Sequence, residues 1–419
     1  MLHGEAGAAS KAVLRLPEFR YLICANGLGS LGGRALVVVI GYQVYSLTKS
    51  PLALGWLGFF EALPAISLAL FGGHVADRSD RRRIVLFTQT VSVLCVLGFA
   101  LLSTQTHAAV LYGLYLIIFV AGIARGFSDP ASSAFEAQVI PREVYVYAAG
   151  WSSSVSLGCS IAGPVLGGVA YGLVGVRNTY LLLAALYALS LFFTSRIAPK
   201  PVPTPEPGES IWQSIAVGVR YVVHTQVIIS SMALDLFAVL FGGVMALLPI
   251  FASDILKVGA TGLGFMIAAP SVGALLAALW STHRPPIRHA GSNLILSVAC
   301  FGVSIIAFAL SRNFLFSLGA LFFTGVFDGI SMVIRRSIMR LMSPENMRGR
   351  IASVSSIFIG ASNEIGAFES GIAASLLGTV RSVWIGGIVT LLVVAITAAA
   401  APKLRRLNLE THQSPPQEE

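Results

Sequence analysis

Apolar residues in this chain come in runs of about 20 or more, the length an α-helix needs to cross roughly 30 Å of hydrocarbon, with polar residues gathered in short stretches between them. Twelve runs predict twelve membrane spans: 19–47, 51–77, 82–104, 108–134, 144–172, 178–196, 226–254, 259–281, 288–311, 314–341, 346–376 and 380–401. The first is too long for a secretory signal and has no small-residue cleavage site, so it is expected to stay as a span. One stretch breaks the series. Pro199, Pro201, Pro203, Pro205 and Pro207 follow one another at every second position, and a helix cannot run through them. Beyond them, Ile211, Ile215, Val219 and Val222 fall on one side of a helix and Gln213, Arg220 and His224 elsewhere, which predicts an amphipathic helix on the inner membrane face. The chain therefore divides into an N-terminal bundle (1–196), a cytoplasmic linker with its helix (197–225), a C-terminal bundle (226–404) and a polar tail (405–419) expected to be disordered.

Composition agrees with the pattern: 55% of residues are hydrophobic and 11% charged, against about a quarter charged in a soluble domain. The net charge of +9 would suit nucleic acid, so the placement of the positive residues decides its meaning. Of the 28 Lys and Arg, twenty-one fall on the side of both termini, among them Arg78, Arg284, Arg335 and Arg336; five fall opposite, and Arg34 and Arg125 lie within runs. Lys and Arg favour the cytoplasmic side, so both termini are expected there, in the inner membrane, and nucleic acid is not an expected partner. Cys24, Cys95, Cys159 and Cys300 lie in apolar runs without metal or redox spacing, and read as small buried hydrophobes.

The two halves repeat. At an offset of 203, Gly122, Gly126, Pro141, Ser153, Gly163, Gly168 and Gly175 match Gly325, Gly329, Pro344, Ser356, Gly366, Gly371 and Gly378; at 206, Gly58, Phe59, Pro64 and Arg78 match Gly264, Phe265, Pro270 and Arg284. An all-α membrane protein of two pseudo-symmetric six-helix bundles is the expected fold, with a small-molecule site near the midplane.

Two motifs narrow this. After the second span, Gly73, Asp77, Arg78, Arg81 and Arg82 form a turn in which Asp77 can pair with Arg81 or a helix end and Gly73 admits a close neighbour, a charge latch between conformers. In the fifth span Gly158 precedes Gly163, Pro164, Gly167 and Gly168; the glycines allow backbone contact and the proline loosens the helix. The turn resembles the signature of the major facilitator superfamily, with Asp80 where that family usually has Gly, and the Gly-Pro-x-x-Gly-Gly run resembles its antiporter motif. Pro17 to Arg20, Gln43 to Thr48, Ser50 to Gly55, Pro141 to Glu143 and Gly349 to Ile351 are similar to the superfamily's branch of drug and siderophore effluxers that includes enterobactin exporters. The resemblance implies the major facilitator fold, alternating access and export.

Charges inside hydrocarbon cost several kcal/mol unless paired, hydrated or protonated. Glu61, Asp328 and Glu369 are the candidate proton carriers, and Arg34, Arg125, Asp129, Asp235 and Glu364 the candidate charge partners or substrate contacts. Counted from opposite faces, Arg34 and Glu61 reach similar depth and are expected to pair; Arg125 and Asp129 are one turn apart. The dinucleotide-like Gly27-Leu28-Gly29-Ser30-Leu31-Gly32 lies within a span, no phosphate loop is present, and the histidines show no metal spacing. No metal or cofactor is therefore expected, and no enzymatic activity. The function implied is a proton-coupled exporter of small amphiphilic molecules, working as a monomer. The competing expectations are an importer or a lysophospholipid or nutrient carrier of the same fold, and a non-transporting membrane sensor or scaffold.

Overall fold

A computed structural model describes residues 13–105, 109–202, 211–284, 286, 288–344 and 347–410. Their regular structure is helical: α1 (Pro17–Thr48), α2 (Pro51–Arg78), α3 (Arg81–Leu102), α4 (Ala109–Val139), α5 (Tyr145–Ser195), α6 (Ile211–His224), α7 (Gln226–Phe241), α8 (Gly259–His283), α9 (Ala290–Leu310), α10 (Phe314–Met342), α11 (Arg348–Leu377), α12 (Thr379–Ala400) and α13 (Pro402–Arg405), with short turns between. Ten of the described helical stretches are long and apolar enough to cross a membrane. The chain is a multi-pass membrane protein.

The fifth and sixth predicted spans form one continuous helical run, α5, interrupted at Gly175 (φ 78°, ψ 170°). Gly378 (φ 86°, ψ 146°) joins α11 to α12 in the same way. These two glycines are partners in the sequence repeat, and the conformation they share is one that side-chain-bearing residues avoid. No atom lies within 4 Å of where a Gly175 side chain would begin, so only the backbone angle demands glycine. Gly175→Ala should therefore cost about 1–3 kcal/mol of strain, read as a lowered melting temperature in detergent; an unchanged one would remove the requirement.

Glycine seams repeat as well. A Cβ on Gly126 would sit 3.0 Å from Leu68 Cβ and one on Gly122 2.7 Å from Pro64, which holds α2 against α4. In the other half Gly325 abuts the Pro270 backbone and Gly329 lies 3.0 Å from Ala277, which joins α8 and α10.

The helices form two compact units, one of residues 13–49, 59–202 and 258–268, the other of 50–58, 211–257 and 269–410. The linear division expected at the linker is thus crossed twice. In the first unit Gly168 of α5 meets Gly264 of α8, with Thr261 Oγ1 donating to the Gly168 carbonyl at 3.3 Å. In the second, Gly371 of α11 meets Gly55 of α2, and Trp56 packs edge-on against Phe368 at 5.0 Å. Backbone contact at Gly168 and at its repeat partner Gly371 places each segment in its unit.

Three further departures from the sequence expectations have local causes. The seventh span is discontinuous: α7 ends at Phe241, and Gly242 and Gly243 lead into a 3-10 turn (Val244–Leu247), a helical turn at Pro249 and a π-turn (Phe251–Ile255). The tail expected to be disordered from 405 is packed through residue 410, with Leu407 and Leu409 buried, the Leu407 carbonyl accepting from Gly291 N–H at 3.3 Å and Glu410 paired with Arg288; residues 411–419 lie outside the described residues. Cys24 is exposed rather than buried. In the linker, residues 203–210 lie outside the described residues, whereas Lys200 Nζ reaches Glu18 at 2.6 Å and ties its start to α1.

Candidate functional site

Each unit carries an arginine between two acids inside its spans. In the first, Arg125 of α4 reaches Glu61 of α2 at 3.0 Å and Asp129, one turn along, at 3.4 Å. Glycine seams set this up: Gly122 and Gly126 bring α4 against α2 around Glu61, so the two charges meet without long side chains spanning a gap. The expected Arg34–Glu61 pair is absent. Arg34 is exposed and has no ion pair among the described residues; Glu61 takes Arg125 because the α2–α4 seam is the closer approach.

In the second unit, Arg335 of α10 pairs with Asp235 of α7 and lies 3.5 Å from Asp328, two turns back on its own helix. Its charge count had placed Arg335 among the cytoplasmic positives, yet its side chain is only 13% exposed and Asp235's 11%. The signal was legible in part: seven residues separate Asp328 from Arg335, two turns on one helix face. The partner on α7 was not, because nothing local joins Asp235 to α10. Arg335 Nε is buried and meets no hydrogen-bond acceptor among the described residues. Asp328 is the open member of the group, with a side chain 42% exposed.

Glu364 and Glu369 lie apart from that triad on α11. The Glu364 carboxylate is 3.8 Å from where a Gly58 side chain would begin, while Glu369 lines a cavity beside the break after α7.

The charged turn after α2 is wired within the first unit. Arg81 pairs with Asp77 at 3.3 Å and donates to the carbonyls of Ala76 at 3.1 Å and Ala134 at 3.3 Å, while Arg82 donates to the Ser195 carbonyl at 2.7 Å. At Ala76 and Ser195 these arginines supply donors where the α2 and α5 helices run out of their own, and at Ala134 Arg81 ties the turn to α4. Asp80 caps α3, accepting from Arg83 N–H at 3.3 Å. Arg78 is exposed. The close-approach glycine is Gly72, not Gly73: a Cβ on Gly72 would strike the backbone of Gly126 and Phe127, whereas Gly73 has only Pro130 at 4.0 Å. Side chains three or four residues apart share a helix face, and the seam with α4 runs along the face of Gly72 and Leu68.

The fifth-span motif packs on two sides. Gly163 and Gly167 lie against α1, with Leu31 O at 3.0 Å from a Gly163 Cβ and Ala35 Cα at 2.9 Å from a Gly167 Cβ, whereas Gly168 and the Pro164 carbonyl face Gly264. Gly158 has open space around it. Among the described residues no group of His, Cys, Asp and Glu is arranged to hold a metal ion.

Repeat-related units of spanning helices, seamed by glycine and holding ion pairs within the spans, define a multi-pass membrane carrier. Residues 8–418 match the transmembrane secretion effector family, and the chain belongs to that family of the major facilitator superfamily. It is a membrane transporter, not an enzyme. The enterobactin exporter EntS of Shigella boydii serotype 18 is 24% identical over 402 residues, covering 96% of this chain and 95% of that protein. The fold is similar to a bacterial homologue of the iron transporter ferroportin in an inward-facing state (TM-score 0.71, 17% identity, 94% of this chain and 99% of that one). It is also similar to a bacterial homologue of the human lysosomal transporter Spinster (TM-score 0.70, 14% identity, 95% and 98%).

Proposed function

We propose that this transporter is a proton-coupled exporter of small amphiphilic molecules, siderophores or drugs among them. It crosses the inner membrane twelve times in two six-helix bundles, keeps both termini in the cytoplasm and works as a monomer by alternating access. The Asp235–Arg335–Asp328 group carries the reading. With both acids ionised, Arg335 is shared between α7 and α10. Protonation of the open Asp328 leaves Arg335 to Asp235 alone, so a proton alters which contacts hold the two helices. An ion pair serving only to fix helix register would have no use for a second acid that the packed helices leave 42% uncovered. Glu61, paired with the half-exposed Arg125, is the corresponding acid in the first unit. The antiporter-type run at Gly163 to Gly168 and the similarity to enterobactin exporters support export as the direction.

Flux in proteoliposomes under an imposed pH gradient tests the reading. Asp328→Asn should abolish gradient-driven export while sparing downhill exchange of substrate, since the neutral side chain mimics the permanently protonated state. Retention of gradient-driven export in Asp328→Asn, Glu61→Gln and Glu369→Gln, each tested separately, would overturn it.

A further inference from the structure

One face of α1 carries polar side chains where hydrocarbon would demand apolar ones. Asn26, Ser30 and Arg34 follow one another at four-residue spacing, so they stand one above the other along the helix. The packed helices of the unit leave Asn26 and Arg34 exposed and Ser30 half-covered, and none of the three has a hydrogen bond or ion pair among the described residues. The uncovered face of α3 is different. Its large side chains are Phe87, Leu94, Leu97 and Leu101, as contact with lipid requires, and the hydroxyl of Thr90 between them donates to the Leu86 carbonyl of its own helix at 2.8 Å.

Arg34 lies about 20 Å from either end of its apolar run, at about 1.5 Å per residue, too deep for the side chain to reach a membrane surface. Glu61, which matches it in depth, is held by Arg125 at 3.0 Å. The root of the side chain is fixed, since a Cβ on Gly163 would lie 2.6 Å from Arg34 Cβ, while the residue as a whole stays exposed. Cys159 Sγ, donating to the Gly27 carbonyl at 3.3 Å, fastens the same two helices between Asn26 and Ser30. Tyr187 borders the stripe one turn from Ser30: its phenol oxygen is 3.3 Å from where a Gly33 side chain would begin and has no hydrogen bond among the described residues. Arg34, Ser30, Asn26 and Tyr187 can all donate hydrogen bonds, and no acid is among them. Such a set suits an oxyanion, not a cation. Val37, one turn past Arg34 and 54% exposed, adds apolar surface beside it.

We propose that this face of α1 is the anion-binding end of the substrate site, and that the exported cargo is an amphiphilic organic acid. Its oxyanion pairs with the Arg34 guanidinium, whose planar fork matches two oxygens at once. The Ser30 hydroxyl, one turn back, donates beside it, and Asn26 extends the polar track toward the N-terminal end of the span. The apolar body of the cargo lies toward Val37. Pairing there removes the cost of a lone charge within the span. The inference rests on the carrier reading above for what becomes of the anion, but binding needs no gradient and none of Glu61, Asp328 or Glu369, so either can fail without the other.

Binding is measured on the full-length protein in phosphatidylcholine nanodiscs, without a gradient, using radiolabelled 2-naphthoate as the amphiphilic acid and 2-naphthamide as its neutral counterpart. The acid should bind saturably and raise the melting temperature, and the amide should compete at least about tenfold more weakly. Arg34→Gln should abolish the preference for the acid, whereas Arg34→Lys, which keeps the charge without the fork, should retain part of it. Ser30→Ala should weaken binding of the acid by about tenfold, which keeps the site testable even if Arg34→Gln fails to fold. Arg177→Gln, which removes an exposed positive charge from the same unit, should bind as the parent does. Absence of saturable 2-naphthoate binding, equal binding of acid and amide, or binding undiminished in Arg34→Gln or in Ser30→Ala would overturn the proposal. So would displacement of 2-naphthoate by phosphatidylglycerol added to the discs, which would assign Arg34 to a lipid phosphate.

Discussion

Replacing Arg335 with Gln is expected to be the most damaging single substitution among the membrane charges. The change leaves Asp235 and Asp328 without the positive partner they share, Asp235 deeply buried. Breaking a buried ion pair by removing one member costs about 3–5 kcal/mol, because the other charge stays desolvated. The melting temperature in detergent should drop steeply and folded protein should be scarce. A second substitution separates charge from shape: Arg335→Gln combined with Asp235→Asn removes both buried charges and should recover much of the lost stability, but not gradient-driven export, since Asp328 has then lost its switchable partner. If the double variant is no more stable than Arg335→Gln alone, the pair is not what holds α7 to α10. The corresponding change in the first unit, Arg125→Gln, should be milder, because Arg125 is 47% exposed and Asp129 69%, so neither partner is enclosed by packed helices as Asp235 is.

Gly168→Leu is expected to have the second largest effect. A Cβ at this position lies 3.0 Å from both the nitrogen and the Cα of Gly264, so the new side chain meets backbone rather than a side-chain tip that can rotate away. Overpacking costs about 1–3 kcal/mol where side chains can shift, and here α5 and the start of α8 would have to part, losing the Thr261 hydrogen bond to the Gly168 carbonyl. Transport should fall more than the melting temperature suggests. Gly371→Leu repeats the experiment in the second unit, where Gly55 Cα lies 2.7 Å from the position of the new carbon. Gly158→Leu, three turns away with nothing within 4 Å, should stay within about 0.5 kcal/mol of the parent. Equal effects at Gly158 and Gly168 would show that the motif acts through helix propensity rather than contact.

Much of this molecule is written in local pattern. Span-length apolar runs, a proline-rich break and glycines recurring at a fixed offset are properties of neighbouring or periodically spaced residues, and they sufficed for an all-helical membrane protein of two related halves. Gly175 and Gly378 show how far such reading reaches: the repeat matched them and the gaps between predicted spans contain them, while the one-residue turn each makes is seen only in the structure. Residues 211–224 likewise carry the amphipathic period of the helix found there.

Other features depended on which helices touch. Arg34 and Glu61 match in depth, but a seam of Gly122 and Gly126 delivers Arg125 to Glu61 instead. Arg335 sits near the end of an apolar run, where a topological charge belongs, and only the approach of α7 turns it into the centre of a triad with a buried partner, Asp235. Gly72 rather than Gly73 meets α4 because helix rotation, not composition, chooses the contacting face.

The amino-acid sequence by itself determined the membrane class, the duplicated architecture, the turns between paired spans and the charged positions that hydrocarbon must accommodate, since each follows from short-range periodicity and the solvation of single residues. The tertiary structure alone decided which charges pair across helices and where the seventh span breaks. Those outcomes are set by backbone approaches between segments up to hundreds of residues apart, and the energy of a buried charge is settled only by the partner that such an approach brings within reach.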